Sequence, residues 1–186
     1  ERSAGSYSTI TQFAPDFIYI HTSNRNIVLF PEVSDTRQMV DEKLDATVDK
    51  FRRLWEQLEN KFHCPLIQNN FEPPFYRILG NRDVTDYSGR VNFIARLNKT
   101  FADYADAHEN FYIHDINYEA SVYGLERWSD RFYLDMYKYA MCVPAIPYTS
   151  FQVANIIKAL VGKNKKALNL DLDNTLWGGI IGDDGV

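Results

Sequence analysis

The sequence predicts an α/β fold, a three-layer α/β/α sandwich with a mostly parallel sheet. Strand-like and helix-like segments alternate along the chain through four units. One helix-like segment keeps a single apolar face over many turns, as a helix packed on a sheet does. The last strand-like segment, residues 167–170, is a short apolar run with the length and flanks of a buried parallel strand.

Length and composition describe an ordinary globular domain with a short extension. The chain has 186 residues, of which 45% are hydrophobic and 15% aromatic, enough to build a packed core. Its net charge of −5 provides no overall field that would attract nucleic acid or an anionic membrane. There is neither an apolar window of membrane-spanning length nor a signal peptide at the start, so we expect a cytoplasmic protein.

A strand and a long helix are the first predicted elements. Residues 16–22 form a short apolar and aromatic run, closed by the turn-forming residues 23–26, and predict a strand. Apolar residues then recur every three or four positions, which predicts an amphipathic helix of about seven turns that begins near Ser34 or Asp35. The residues on its apolar face are Val40, Leu44, Val48, Phe51, Trp55, Leu58 and Phe62.

A second strand is predicted at residues 64–68, and a long polar loop follows it. Loops at strand ends carry functional groups more often than the elements they connect. Asn70, Arg77 and Asn81 lie in this loop and suit a small anionic or carbonyl ligand. The alternative is that these side chains cap turns around the two adjacent prolines of the loop.

Further elements are predicted up to a domain boundary. Ser88 is expected to cap a helix whose apolar face carries Val91, Ile94, Leu97, Phe101 and Tyr104. A third strand at residues 110–115, a helix-like segment at 132–141 and a helix at 151–161 follow. The basic segment from Gly162 is the best boundary, which gives domains at residues 1–162 and 163–186.

The cysteines and histidines predict no catalytic site of their own. Cys64 and Cys142 have neither a disulfide nor a metal-site spacing, so buried thiols are expected. The four histidines, at positions 21, 63, 108 and 114, are scattered along the chain. A Ser-His-Asp triad is not supported, because no serine lies in a strand-to-helix elbow and no histidine has an orienting partner in the sequence pattern.

Two carboxylates follow the last predicted strand. Asp171 and Asp173 are separated by one residue, so on a strand their side chains point to the same side, at the edge where open α/β sheets bind ligands. The two negative charges repel each other, and this repulsion favours a bound divalent cation, typically Mg²⁺. One carboxylate can attack a phosphoryl group while the other moves a proton. The alternative is a solvated turn or a helix N-cap.

The run Leu170-Asp-Leu-Asp-Asn-Thr-Leu-Trp-Gly-Gly-Ile-Ile-Gly-Asp-Asp-Gly185 resembles motif I of the haloacid dehalogenase (HAD) superfamily. It is most similar to the FkbH-like branch of that superfamily. The resemblance implies that Asp171 is the nucleophile and an Mg²⁺ ligand. It implies that Asp173 is the general acid/base and that its backbone carbonyl also binds the metal. It further implies that two glycines, Gly178 and Gly179, shape the following turn.

The resemblance also has implications for the rest of the chain. A HAD site requires a downstream Ser or Thr, a Lys and a second acidic pair, so we expect a fragment that carries only the first strand of a HAD Rossmann-like domain. In FkbH-like proteins the preceding region resembles the SGNH-hydrolase fold, a flavodoxin-like sandwich. Asn69 and Asn70 then lie where an SGNH hydrolase has its oxyanion-hole asparagine, but the Gly-Asp-Ser nucleophile motif is missing from the sequence.

Two functions follow from these expectations. The first is the N-terminal fragment of a HAD-type phosphatase and acyl (glyceryl) transferase. The resemblance implies that its substrates are a phosphorylated three-carbon acyl donor and the thiol of an acyl or peptidyl carrier protein. The second is a non-catalytic SGNH-like binding module that docks a carrier protein or a substrate through Asn70, Arg77 and Asn81.

Overall fold

The sheet is parallel, as the sequence predicts. A computed structural model describes residues 12–163, and in this range three strands form one sheet in the order β1-β2-β3: β1 (Ile18–Ile20), β2 (Leu66–Asn69) and β3 (Phe111–His114). Both pairs of neighbouring strands are parallel. The α/β class is therefore confirmed, and the expected fourth strand, residues 167–170, lies outside the described residues.

The long predicted helix is present as α1 (Arg37–Phe62). Its N-cap is Thr36 rather than Ser34 or Asp35, because the Thr36 side chain accepts a hydrogen bond from the backbone N–H of Met39. The helix ends at His63, whose left-handed backbone (φ 52°) stops the repeat. Both ends therefore lie close to the predicted ones, and the apolar periodicity identified the buried face.

The second long helix is α2 (Arg90–Ala107). The predicted cap, Ser88, is replaced by Gly89, and the first turn is held instead by the buried Asp83, whose Oδ2 accepts from the N–H of Val91 at 2.7 Å. A Cβ at Gly89 would lie 2.1 Å from the backbone oxygen of Asp83, so only glycine fits there. The cap is thus supplied by a residue of the preceding 3₁₀ helix, Gly80–Val84, outside the positions that N-cap rules consider.

Helices α1 and α2 share a core with one face of the sheet. Trp55 of α1 and Phe101 of α2 lie at its centre with their ring centroids 4.7 Å apart. The buried residues of this core are Ile27, Val40, Leu44, Val48, Phe51, Trp55, Leu58, Leu66, Phe71, Phe93, Ile94, Leu97, Phe101, Tyr104 and Phe111. Burial of so many large rings is the main stabilising contribution to this half of the sandwich.

Between β3 and residue 163 the structure has four α-helices: α3 (Ile116–Tyr123), α4 (Leu125–Trp128), α5 (Arg131–Tyr137) and α6 (Ile146–Leu160). The first two are too short to show a helical period in the sequence, and they were not predicted. Helix α6 begins five residues before the predicted 151, because Pro147 lies in its first turn, where a missing N–H costs nothing. A smaller core joins these elements: Ile116, Ala120, Trp128, Met141, Cys142 and Ala145.

Three short 3₁₀ helices complete the described residues: Asn24–Asn26, Gly80–Val84 and Val143–Ala145. Two compact units divide the chain, residues 1–153 and residues 154–186, and the division falls within α6. The predicted domain boundary after residue 162 stays a prediction.

We expect Phe101→Ala to lower the free energy of unfolding by about 3–5 kcal/mol, because it opens a cavity among rings that cannot close around it. Phe101 is fully buried, with its ring edge-on to Phe51 and Trp55. Urea unfolding followed by tryptophan fluorescence measures the change. The matched control is Phe132→Ala, at a ring that is 60% exposed, which should change stability by less than about 0.5 kcal/mol. Equal losses in the two variants would contradict this description of the core.

Candidate functional site

Polar side chains follow all three strands where they end. His21 and Thr22 come directly after β1, Asn70 follows β2 and Asp115 follows β3. Because the strands are parallel, their carboxyl ends share one edge of the sheet, and open α/β sheets bind ligands at that edge. This edge is therefore the first place to search for a site among the described residues.

Asn69, the last residue of β2, ties the ends of β1 and β2 together. Its Oδ1 accepts from the N–H of Thr22 at 2.7 Å, and its Nδ2 donates to the carbonyl of Thr22 at 2.5 Å. The same Nδ2 lies 2.6 Å from the carbonyl oxygen of Asn70. The side-chain amide thus continues the parallel ladder past the end of the strand and fixes the segment that carries His21.

Asn70 is buried, and both ends of its side-chain amide bind other parts of the chain. Its Nδ2 donates to Oδ1 of Asp115 at 2.7 Å, and its Oδ1 accepts from the N–H of Asn117 at 2.9 Å. Asp115 is the N-cap of α3 and accepts from the N–H of Tyr118. In this structure Asn70 therefore holds the start of α3 against the end of β2. Its predicted role in ligand binding stays a prediction.

The other two predicted ligand residues, Arg77 and Asn81, are exposed in the loop between β2 and α2. Asp83 holds this loop in place, because its Oδ1 accepts a hydrogen bond from the backbone N–H of Leu79 at 3.2 Å. Arg77 and Asn81 thus share one solvent-facing loop, whereas the amide of Asn70 is buried under the sheet edge. The structure does not gather the three into a single enclosed pocket.

A chain of four polar side chains crosses the sheet beside this edge. Nε2 of His114 lies 2.5 Å from Oε1 of Glu119, and both residues are buried. Nδ1 of His114 lies 2.9 Å from the hydroxyl of Tyr19, which in turn lies 3.1 Å from Nδ1 of His21. The chain therefore runs from a buried carboxylate to a histidine at the surface.

Burial and neighbouring charge act on both ends of this chain. Burial raises the pKa of Tyr19 well above its usual range, and the negative charge of Glu119 raises it further. Burial lowers the pKa of His21, and the nearby His114 lowers it further. At neutral pH the Tyr19 hydroxyl thus keeps its proton, and the His21 imidazole is uncharged.

The expectation that no histidine has an orienting partner was wrong for His114. Its partner Glu119 lies five residues later, in the first turn of α3, and that helix was not predicted. The reversal of the chain between β3 and α3 brings the carboxylate back to the strand end. A glutamate shortly after a strand-terminal histidine, at the start of a helix, is the sequence signal that would have found the pair.

His21 and Tyr19 open onto a cleft of about 300 Å³ between β1 and the start of α6. Its lining residues are Tyr19, His21, Met141, Ile146, Thr149, Ser150 and Val153. None of these residues carries a formal charge at neutral pH. The hydroxyl of Thr149 is buried and has no hydrogen-bond partner among the described residues. The cleft therefore combines apolar walls with a few neutral polar groups, a combination found in small-molecule sites.

A larger depression of about 620 Å³ surrounds Arg25. The Arg25 guanidinium donates to Oγ of Ser129 at 2.8 Å and lies over the ring of Phe75, 4.6 Å from its centroid. Arg131 lines the same depression, and so does Asp135, which pairs with it. Positive and negative groups thus balance here, so the depression has no strong preference for an anion.

Glu72 is almost completely buried and contacts Asn24, the residue before Arg25. Both of its carboxylate oxygens lie within 3.3 Å of the backbone N–H of Asn24, so it holds the 3₁₀ helix after β1. Burial raises the pKa of Glu72 to about 7, although these hydrogen bonds and the charge of Arg25 act in the opposite direction. Its role in the structure is to fix the loop that carries Arg25.

The two cysteines lie apart from the cleft lining. Cys142 is buried, as expected, with its Sγ 3.6 Å from the hydroxyl of Tyr123. Cys64 is only partly buried, and burial raises the pKa of its thiol. A raised pKa keeps a thiol protonated and poorly nucleophilic.

Residues 12–163 contain no group of three or more His, Cys, Asp and Glu side chains arranged to hold a metal ion. The predicted Mg²⁺ ligands and catalytic residues, Asp171 and Asp173, lie outside the described residues. In the part of the chain that the structure describes, no helix is both long enough and apolar enough to cross a membrane.

The fold and sequence are similar to those of one solved structure. It is the N-terminal part of the protein BF1531 from Bacteroides fragilis, which contains a phosphatase domain and is in complex with Mg. The identity is 28%, the TM-score is 0.79, and the match covers 100% of this chain. This chain spans about half, 47%, of the length of that chain. A search of curated proteins gave no significant match.

A family model matches most of the chain. The matching residues are 3–158, and the family is described as FkbH, N-terminal domain. This range ends before the run at residues 170–185 that first indicated an FkbH-like protein, so two separate parts of the sequence lead to the same family. The chain belongs to the FkbH N-terminal domain family.

Proposed function

We propose that this chain is the N-terminal part of a HAD-type, Mg²⁺-dependent phosphohydrolase, with Asp171 as nucleophile and Asp173 as general acid/base. The observation that carries the proposal is the Asp-x-Asp pair that directly follows the predicted strand at residues 167–170. The Bacteroides fragilis structure supports it, since that protein contains a phosphatase domain with Mg and its match extends over the whole of this chain.

The residue types fit the proposed chemistry. A carboxylate oxygen of Asp171 attacks phosphorus and forms an aspartyl-phosphate, while the protonated carboxyl of Asp173 gives its proton to the leaving oxygen. Asp173 then takes a proton from the water that hydrolyses the aspartyl-phosphate. Oxygen ligands are what Mg²⁺ prefers, so the carboxylate of Asp171 and the backbone carbonyl of Asp173 would hold the ion, which leaves the Asp173 carboxyl free to move a proton. When bound, Mg²⁺ neutralises charge on the phosphoryl oxygens.

The substrates we propose are a phosphorylated three-carbon acyl donor and the thiol of a carrier protein, which receives the glyceryl group. Membership of the FkbH N-terminal family supports this choice. The cysteines of the chain also favour an acceptor thiol from a partner. Cys142 is buried, and the raised pKa of Cys64 reduces its nucleophilicity.

A second candidate function is a binding module without catalytic activity in residues 1–162. The observation that favours it is the family match itself, which ends at residue 158 and so precedes the aspartate pair. Arg77 and Asn81 are exposed on one loop and free to contact the phosphate and amide groups of a carrier protein's prosthetic arm.

Asp171→Asn should lower Mg²⁺-dependent phosphate release by at least about 10³-fold in a longer protein that contains this chain, because the amide cannot serve as the nucleophile. Release of inorganic phosphate from an acyl phosphate and from an aryl phosphate measures the effect. The control is Asp135→Asn, at an exposed carboxylate of α5, which should leave the rate unchanged. Full turnover by the Asp171 variant would exclude the proposed mechanism.

Arg77→Ala should weaken binding of a phosphopantetheinylated carrier protein to the 186-residue chain by about 3- to 10-fold, the usual effect of losing one exposed charge-assisted contact. Titration calorimetry measures the dissociation constant. Arg52→Ala removes another exposed arginine, which lies on α1 and pairs with Asp49, and serves as the control. If the unmodified chain does not bind the carrier, or if both variants bind as it does, the binding-module function is wrong.

A further inference from the structure

The contacts from Glu119 to His21 couple the proton positions of the four side chains, so the protonation of His114 sets the tautomer of His21. Glu119 as a carboxylate can only accept, so Nε2 of His114 must carry a hydrogen and donate to it. With His114 neutral, its Nδ1 is an acceptor and the Tyr19 hydroxyl donates to it, whereas a protonated His114 would donate to Tyr19 and reverse this bond. We take His114 as neutral.

The next contact follows from the same reasoning. Tyr19 has a single hydroxyl proton, and it is already used, so its oxygen accepts from Nδ1–H of His21. The remaining ring nitrogen of His21, Nε2, is therefore an unprotonated acceptor. Since burial and His114 lower the pKa of His21, the ring stays neutral at pH 7. A buried carboxylate thus fixes the tautomer of a surface histidine through two intervening side chains.

The cleft beside His21 limits the kind of ligand that can bind. Three of its walls are the apolar side chains of Met141, Ile146 and Val153, and none of its lining residues is charged at neutral pH. A phosphate or carboxylate would lose its hydration there without a cation to replace it, which is unfavourable. A neutral ligand with a short apolar chain has no such cost.

We propose that this cleft binds a small neutral alcohol or thiol whose O–H or S–H donates to Nε2 of His21. Glu119, His114 and Tyr19 are positioning residues, because they hold His21 in the accepting tautomer without touching the ligand. The site uses neither Asp171 nor Asp173, so its test is independent of the test of the proposed phosphohydrolase function.

The buried hydroxyl of Thr149 is a second and independent sign of a ligand site. It lies in the cleft wall without a hydrogen-bond partner among the described residues. Buried polar groups are nearly always paired in folded proteins, and unpaired ones are often found where a ligand binds. Thr47, buried to the same degree on α1, donates instead to the carbonyl of Lys43.

The test uses two isomeric probes, 1-butanol and methyl propyl ether, which have the same atoms but differ in the presence of a hydrogen-bond donor. Each is titrated into the ¹⁵N-labelled 186-residue chain at pH 7.5 while imidazole nitrogen shifts are recorded. We expect His21 to show the Nδ1–H tautomer and to shift on titration. We expect 1-butanol to bind about 3- to 10-fold more tightly than the ether, the effect of one net hydrogen bond.

Tyr19→Phe removes one oxygen and breaks the chain between the two histidines. In this variant His21 should become a mixture of tautomers, and the preference for the alcohol should fall to within about 2-fold. Tyr123→Phe removes the same atom at a hydroxyl that contacts Cys142, and it should keep both the tautomer and the preference. A purely structural role for Tyr19 would alter stability but not the tautomer.

The wild-type measurements alone can overturn the proposal, even if the Tyr19 variant fails to fold. An Nε2–H tautomer at His21, equal affinities for the two probes, or no saturable shift at His21 with either probe would each exclude it. The Nδ1–H tautomer together with preference for the alcohol would support it.

Discussion

The central strand β2 carries two polar side chains with no exposed surface, and their hydrogen bonds join the elements around them. Oε1 of Gln68 accepts from Nε1 of Trp55 at 3.1 Å, and its Nε2 donates to Oγ1 of Thr22 at 3.0 Å. Asn69 binds the backbone of Thr22. An unpaired polar group at this depth would be costly, so these bonds fix the positions of helix α1, of β1 and of the loop after it relative to β2. The position of His21 depends on this arrangement.

Local patterns predicted the parts of the fold that local forces determine. The period of α1 was detected because its apolar face extends over 26 residues, and the three strands were found from short apolar runs between turn residues. The predicted ends of helices were less accurate, since Asp83 caps α2 from the preceding 3₁₀ helix and Pro147 lies inside the first turn of α6. Helices α3 and α4 are fixed by burial of Ile116 and Trp128 in the smaller core, which no sequence window shows.

The two candidate sites also differ in how far apart their residues lie in the sequence. The Asp171 and Asp173 pair was found from the sequence because only one residue separates the two aspartates, and they directly follow an apolar run with the features of a strand. The polar chain could not be found in this way, because Tyr19 and His114 are 95 residues apart. They lie on β1 and β3, two strand spacings or about 10 Å apart across the sheet. Contact requires a long side chain on each strand and the parallel register that β2 imposes.

The charges that line the two depressions decide whether a phosphorylated or an uncharged ligand suits each of them. A phosphorylated donor requires cations or a metal ion, and the lining of the His21 cleft has neither charged side chains nor a metal-binding cluster. The depression around Arg25 has cations, but Asp135 and Glu126 lie in the same lining and reduce its attraction for an anion. Under the proposed function, a phosphate would therefore be bound by residues outside the lining of these two depressions, such as Asp171 and Asp173. The cleft at the sheet edge, in contrast, suits the uncharged part of a substrate or an uncharged acceptor.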